Sequence, residues 1–294
     1  MEIKASMVKE LRDKTGAGMM DAKKALVETD GNMEKAIEFL RQKGMATADK
    51  KMNRVAAEGT IASIVEGKSA VMVEINCETD FVAKNEDFKA FADDMAGAIL
   101  AMNPESVEEF MTMTCPKCAK TIEAIVKEKI AKIGEKITIR RFVKYNTQGC
   151  INTYIHNGKI GVLLETKADT CSDETQTIAK DICLHIASNA PEFVSREEIP
   201  VFVIEEEKRI EMGKEDLAKK PENIREKIVE GRVNKLMAQR CLLEQQFVKN
   251  PDLTIAQLIE NKLSIVKFVR FVLGEGIEKR QDNFAKEVMS QIKG

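Results

Sequence analysis

The chain has 294 residues, 44% hydrophobic and 32% charged, enough to bury a sizeable core in more than one domain. Lys and Arg total 46 against 48 Asp and Glu, so the formal net charge is -2 and no broad basic field exists to follow a phosphate backbone. With no Trp and 2 Tyr, platforms for base stacking are few, and no apolar run reaches the length of a membrane span. The sequence opens Met1-Glu2-Ile3-Lys4 without an apolar signal core, and its 7 Cys are scattered as in a reducing compartment. A cytoplasmic protein with no nucleic-acid and no membrane partner is expected.

Residues 1–50 read as a small three-helix unit. Val8 and Leu11 share one face of a first helix, and Thr15-Gly16-Ala17-Gly18 is a turn. Ala22, Ala25 and Leu26 continue a second helix, which Asp30-Gly31 stops. Asn32 is placed to cap a third helix bearing Ile37 and Leu40, with Gly44 at its end. The polar stretch from Met45 to Asn53 reads as a linker.

Strand patterns follow at Thr60 to Ile64 and Ala70 to Asn76, with Glu66-Gly67-Lys68 as the turn between them. A helix starting near Asn85 carries Phe88, Phe91, Met95 and Ile99. Another carries Ile122, Ile125, Ile130 and Ile133, and Ile137 and Ile139 open a third strand. The chain then repeats itself. Gly67-Lys68-Ser69-Ala70-Val71-Met72-Val73-Glu74 resembles Gly158-Lys159-Ile160-Gly161-Val162-Leu163-Leu164-Glu165. Each stretch follows a strand that begins at a glycine, Gly59 or Gly149. Each precedes a helix, the second bearing Ile178, Ile182 and Ile186. Two related hairpin-plus-helix lobes are expected.

Between Glu197 and Leu236 the composition turns charge-dense, with Glu205-Glu206-Glu207-Lys208-Arg209 before Lys219-Lys220-Pro221 and a helix bearing Ile224, Ile228, Val233 and Leu236 after it. Two charged helices with a narrow apolar stripe and a Pro-containing turn suggest an antiparallel hairpin. Phe247, a turn at Pro251, a helix with Leu258 and Ile259 and a strand over Ile265 to Leu273 come next. A last helix places Phe284, Val288 and Ile292 four residues apart.

Little in the sequence supports catalysis. Of two histidines, His156 adjoins the Asn157-Gly158 turn, and His185 sits beside the Ile182/Ile186 face as a packing or surface residue. Gly274-Glu275-Gly276 lacks the third glycine of a dinucleotide fingerprint, and Gly67-Lys68-Ser69 lacks the upstream glycine of a phosphate loop. Cys115-Pro116-Lys117-Cys118 has the spacing of a zinc half-site or a redox dithiol, and if Cys115 capped a helix, Pro116 would suit its first position and the helix dipole would lower a thiol pKa. No second ligand pair accompanies it, and the cysteines at 77, 150, 171, 183 and 241 stand alone. No metal or cofactor is expected, and the alternative function is a cytosolic zinc or dithiol redox protein using Cys115 and Cys118.

Two segments read as surfaces. The adjacent Met19 and Met20 after a glycine turn form an adaptable contact, unless one packs and the other is incidental. Glu78-Thr79-Asp80-Phe81-Val82-Ala83-Lys84 joins a strand to a helix, and its Phe81 is either tucked under the sheet or offered to a partner. Composition alone favours tucking.

These segments carry a resemblance. Leu11-Arg12-Asp13-Lys14-Thr15-Gly16-Ala17-Gly18-Met19-Met20-Asp21-Ala22-Lys23-Lys24-Ala25-Leu26 and Glu74-Ile75-Asn76-Cys77-Glu78-Thr79-Asp80-Phe81-Val82-Ala83-Lys84 resemble the two signatures of the elongation factor Ts family. Ala131-Lys132-Ile133-Gly134-Glu135, Val229-Glu230-Gly231-Arg232 and Arg270 to Lys279 are similar to it as well. The resemblance implies an α+β fold: a UBA-like three-helix domain over 1–50, a core N-subdomain over 54–144, and a core C-subdomain over 145–198 and 234–277. A dimerisation-like helical hairpin over 199–233 interrupts the latter, and a C-terminal helical module covers 278–294. It implies a non-enzymatic nucleotide exchange factor whose partner is the GTPase elongation factor Tu. Thr79, Asp80, Phe81 and Val82 would bind the partner, with Asp80 and Phe81 entering the GTPase near its magnesium and switch region, which reverses the tucked reading of Phe81. Met19 and Met20 would form an N-terminal contact, Ile133 and Gly134 a core contact, and His156 a contact to another domain of the partner. A homodimer through the hairpin is a further expectation.

Overall fold

A computed structural model describes residues 3–167, 171–217 and 220–278. The expected last helix with Phe284, Val288 and Ile292 lies outside the described residues. The described residues fall into two compact units, one from 3–62, 73–142 and 273–278, the other from 63–72, 143–167, 171–217 and 220–272.

The chain begins with three helices, α1 (Ala5–Thr15), α2 (Met19–Glu28) and α3 (Met33–Lys51). Val8, Leu11, Ala22, Ala25, Leu26 and Ala36 form their shared core, since each recurs at helical spacing on an inner face. Asn32 caps α3 as expected, its side chain accepting from the Lys35 amide at 3.0 Å.

Next come β1 (Glu58–Glu66), β2 (Ser69–Cys77), α4 (Asp80–Lys84), α5 (Glu86–Met102) and α6 (Val107–Thr112). A two-residue ladder of β3 (Thr114–Cys115) and β4 (Lys120–Thr121) leads to α7 (Ile122–Ile133) and β5 (Thr138–Asn146). Phe88, Phe91, Met95 and Ile99 all lie on the buried face of α5. No helix begins at Pro116. Cys115 ends β3, the chain turns back, and α7 starts only at Ile122, capped by Thr121.

The linker expected over 45–53 is also corrected, because α3 continues to Lys51. Met45, Ala46, Ala48, Lys50 and Lys51 favour helix, and no proline interrupts them. Gly44 does not end α3 but lets it approach α7: a Cβ there would lie 2.8 Å from that of Ala131. Lys127 of α7 pairs with Asp49 of α3 at 2.9 Å, a contact open only to a helix that continues past Gly44.

The remaining elements are β6 (Cys150–His156), β7 (Ile160–Lys167), α8 (Asp173–Asn189), α9 (Val201–Met212), α10 (Glu222–Arg240), β8 (Gln246–Phe247), β9 (Asn250–Thr254), α11 (Ile255–Ile259) and β10 (Ser264–Val272). Helix α10 runs past Val233 because Met237 and Cys241 extend the buried stripe of Val229 and Val233. Pro251 lies in β9 rather than in a turn, which a two-stranded sheet permits since each strand has an unpaired edge. Cys150 does not stand alone. It opens β6 opposite Thr166, near the end of β7, and is disulfide-bonded to Cys171, with the Cα atoms 6.1 Å apart.

The internal repeat has a structural counterpart. One sheet has the order β1-β2-β5 and the other β10-β7-β6, so in each the second hairpin strand is central and a later strand pairs with it. At the start of each hairpin a glycine admits a carbonyl where no side chain fits. A Cβ on Gly59 would stand 2.1 Å from the Ile75 carbonyl oxygen, and one on Gly149 2.2 Å from that of Thr166. Ile75 and Thr166 directly follow Glu74 and Glu165, the last residues of the repeated stretches.

Glu74 is fully buried. Its carboxylate accepts from Arg140 at 2.8 Å, from Arg141 at 2.6 Å and from the Gly274 amide at 2.8 Å. Burial works to raise its pKa, but the Gly274 amide and the two guanidinium groups outweigh it and hold the carboxyl below its ordinary range.

Candidate partner-binding site

Strand β2 is buried along nearly its whole length and ends at Cys77. Burial and the Glu135 charge push that thiol up to about 12, so it is inert. Its sulfur donates to the Thr79 carbonyl at 3.2 Å. Thr79 then caps α4, accepting from the Val82 amide at 3.4 Å. Helix α4 is a single turn with no buried residue; Val82 and Ala83 are half-buried, and Phe81 projects outward, 82% exposed. The tucked reading of Phe81 is thus overturned, because a five-residue helix standing on its Thr79 cap leaves position 81 with no surface to pack on. Asp80 pairs with Lys84 at 2.6 Å, one turn along.

The turn that bears α4 is held from a distance. Glu135, just beyond α7, accepts from the Glu78 amide at 3.1 Å, the Thr79 amide at 3.0 Å and the Thr79 hydroxyl at 2.6 Å. Glu78 returns the contact, accepting from the Lys136 amide at 2.6 Å and pairing with Arg54 at 3.2 Å. Each carboxylate therefore binds backbone of the other's segment, Glu135 the amides of Glu78 and Thr79 and Glu78 the amide of Lys136. Hydrogen bonds to charged acceptors are the stronger kind, so the arrangement fixes where α4 begins.

The last turn of α7 gathers further segments. Ile133 is half-buried, Gly134 ends the helix, and the Gly134 carbonyl accepts from Lys51 at the end of α3. Lys132 pairs with Asp87 of α5 at 2.6 Å and holds that carboxyl below its ordinary range. The Lys132 aliphatic chain also lies against Gly16, whose turn leads into Met19 and Met20. Both methionines are exposed in the first turn of α2, 47% and 77%, so neither is a core residue. Ile133, Gly134, Thr79, Asp80, Phe81 and Val82 thus share one junction of α7 with the β2–α4 turn, and the turn before Met19 touches the same helix end.

His156 lies in the second compact unit, exposed at the end of β6, with Nδ1 2.9 Å from the Tyr154 hydroxyl. His185 is fully buried, its Nε2 2.8 Å from the Gln245 side-chain oxygen. A cleft of about 570 Å³ between the α1–α2 turn, α3 and α7 is lined by six cationic side chains. Each has a carboxylate partner, Arg41 and Lys120 sharing Glu128 and Lys127 pairing with both Asp49 and Glu123, so six carboxylates offset the six cations and little excess charge is offered to an anion. Among the described residues no group of three or more His, Cys, Asp or Glu could hold a metal ion, and no helix is long and apolar enough to cross a membrane.

Sequence reasoning missed Glu135 as a site residue. It stands 56 residues from Thr79, beyond the reach of any local pattern, and only its place directly after Ile133 and Gly134 hinted at a role. A family model described as elongation factor TS matches residues 78–275, well over half of the chain. The match opens at Glu78, in the paired-carboxylate turn, and closes at Glu275, beside the Gly274 amide that holds Glu74.

Proposed function

The chain belongs to the elongation factor Ts family of translation elongation factors, and on that premise we propose that it binds elongation factor Tu carrying GDP and promotes GDP release. The observation that carries this reading is Phe81: an aromatic ring 82% exposed on a one-turn helix whose base is fixed by Glu135. Large apolar groups held rigidly in water mark contact sites. In the proposal Asp80 and Phe81 enter the GTPase near its magnesium, Asp80 acting there through charge or hydrogen bonding, and Thr79 and Val82 belong to the same contact. Met19 and Met20, Ile133 with Gly134, and His156 supply further contacts.

The mechanism is linkage. GDP is held through its phosphates and magnesium, so a factor that binds best where that environment is disturbed lowers nucleotide affinity. By reciprocity nucleotide lowers the factor's affinity by the same ratio. No bond is made or broken, and GTP rebinds the emptied site. A release assay with fluorescent GDP on purified elongation factor Tu tests the reading. Release is expected to accelerate with added chain, and an unchanged rate at saturating chain would refute it.

The proposal includes a homodimer through α9 and α10, on account of Val201 and Phe202, which are 69% and 66% exposed on α9. Sedimentation should show Phe202→Asp shifting the chain toward monomer. A wild-type chain that is already monomeric at high concentration would remove this part.

A further inference from the structure

The Cys115–Cys118 segment takes no part in the partner-binding site. Its hairpin pairs Thr114 with Thr121 and Cys115 with Lys120. Within the turn the amides of Ala119 and Cys118 both donate to the Cys115 carbonyl, at 2.9 and 3.4 Å. Ala119 has a φ of 52°, the left-handed conformation that L residues rarely adopt, so the chain winds tightly here. That winding keeps both cysteines within one turn, and the Lys117 amide, the Cys118 thiol and amide and the Lys117 charge hold the Cys115 thiol below its ordinary pKa, against a smaller effect of burial. Cys118 is exposed and Cys115 partly so; neither belongs to a core.

We propose that Cys115 and Cys118 form a reversible surface dithiol–disulfide couple that reacts with low-molecular-weight disulfides such as oxidised glutathione. Cys115 attacks as the thiolate, which the Lys117 amide, the Cys118 groups and the Lys117 charge favour over the thiol. Its sulfur bonds to one sulfur of the small disulfide, whose S–S bond breaks and releases one small thiolate. Cys118 then gives its proton to solvent and attacks the Cys115 sulfur, expelling the second small thiolate, which takes up a proton. Two protein thiols are oxidised to one disulfide, and one small disulfide is reduced to two thiols.

Two features favour this chemistry over metal binding. Tetrahedral zinc takes four ligands, while among the described residues these two thiols have no third His, Cys, Asp or Glu gathered beside them. The remaining free thiols are also unsuited to join them, since Cys77, Cys183 and Cys241 are buried and burial pushes each thiol up.

The test equilibrates the full chain in mixtures of reduced and oxidised glutathione, quenches by alkylation and weighs the peptides. The peptide carrying both cysteines should lose two hydrogens as the mixture becomes oxidising and regain them when it is reversed. Cys118→Ser should stop with one glutathione on Cys115, whereas wild type should pass through that species without accumulating it. Three results would overturn the proposal: a peptide that stays reduced in the most oxidising mixture, glutathione that accumulates on wild type without closure, or one zinc per purified chain that masks both thiols.

Discussion

Phe81 sits on a helix of one turn, and a ring of its size left in water forgoes roughly 1.5–3 kcal/mol of burial. Removing it from the isolated protein removes almost no packing, so Phe81→Ala should melt as wild type does. If the ring is buried in elongation factor Tu, the same change should weaken the complex about tenfold to a hundredfold, each tenfold being about 1.4 kcal/mol. Marked destabilisation of the free variant together with normal GDP release would defeat the assignment. Glu135 makes a separate prediction. Its carboxylate holds the turn through three hydrogen bonds, two from Thr79 and one from the Glu78 amide, so Glu135→Ala should slow GDP release although residue 135 need not touch the partner. Because it acts through α4, the double variant with Phe81→Ala should lose less than the two single losses combined, as a double-mutant cycle on release rates would show. Strict additivity would mean that Glu135 does not position Phe81. Legibility in the sequence differs sharply between these two residues. Composition pointed Phe81 inward, and only the run Thr79-Asp80-Phe81-Val82 turned it outward. Nothing local could join residue 135 to residue 79, since contacts between distant segments arise from packing that no periodicity encodes.

Elements with a clean period were readable: α5 from the spacing of Phe88, Phe91, Met95 and Ile99, and the two hairpins from their turn glycines. The failures share a cause, in that a residue with strong local meaning had a tertiary use. Gly44 read as a helix stop but is where α3 meets Ala131, and Pro116 read as a helix start but lies in a hairpin turn. Glu74 carries a tertiary use that no local pattern announced. A charged residue inside the apolar strand β2, it is fully buried and joins β2 to β5 and to the turn after β10 through Arg140, Arg141 and Gly274. Removing one member of a buried ion-pair network strands the others, at about 3–5 kcal/mol. Glu74→Ala should therefore lower the urea midpoint strongly. Glu10→Ala, which removes only the exposed pair with Lys14, should shift it by less than about 1 kcal/mol equivalent. Similar shifts for the two variants would show that the Glu74 network contributes nothing special to joining these strands.

Across the whole molecule, each compact unit carries a buried titrating group, and the two should be lost in different pH windows. His185 belongs to the second unit. It is held neutral, with Nδ1 accepting from the Val248 amide at 3.2 Å and Nε2 beside the Gln245 oxygen. Burial lowers its pKa from the ordinary 6.5 despite the Gln245 bond, which works the other way. The unfolded chain therefore binds a proton at a pH where the folded chain does not. Its stability contribution is complete above 6.5 and declines as pH falls through that value toward the lower folded one. Glu74, in the first unit, is also depressed, from an ordinary 4.5, so its contribution persists through the histidine window and declines only as pH falls below that value. Asp87, held low by Lys132, acts in the same acidic window. The unfolding temperature should accordingly descend in two stages from neutral pH, one set by His185 and one by the carboxylates. His185→Gln replaces the imidazole with a group that does not titrate and should flatten the upper stage alone. Glu74→Gln should flatten part of the lower stage while lowering stability at neutral pH. An upper stage that survives unchanged in His185→Gln would assign it to another group, and the buried His185–Val248 contact would then have no share in the acid sensitivity of the second unit.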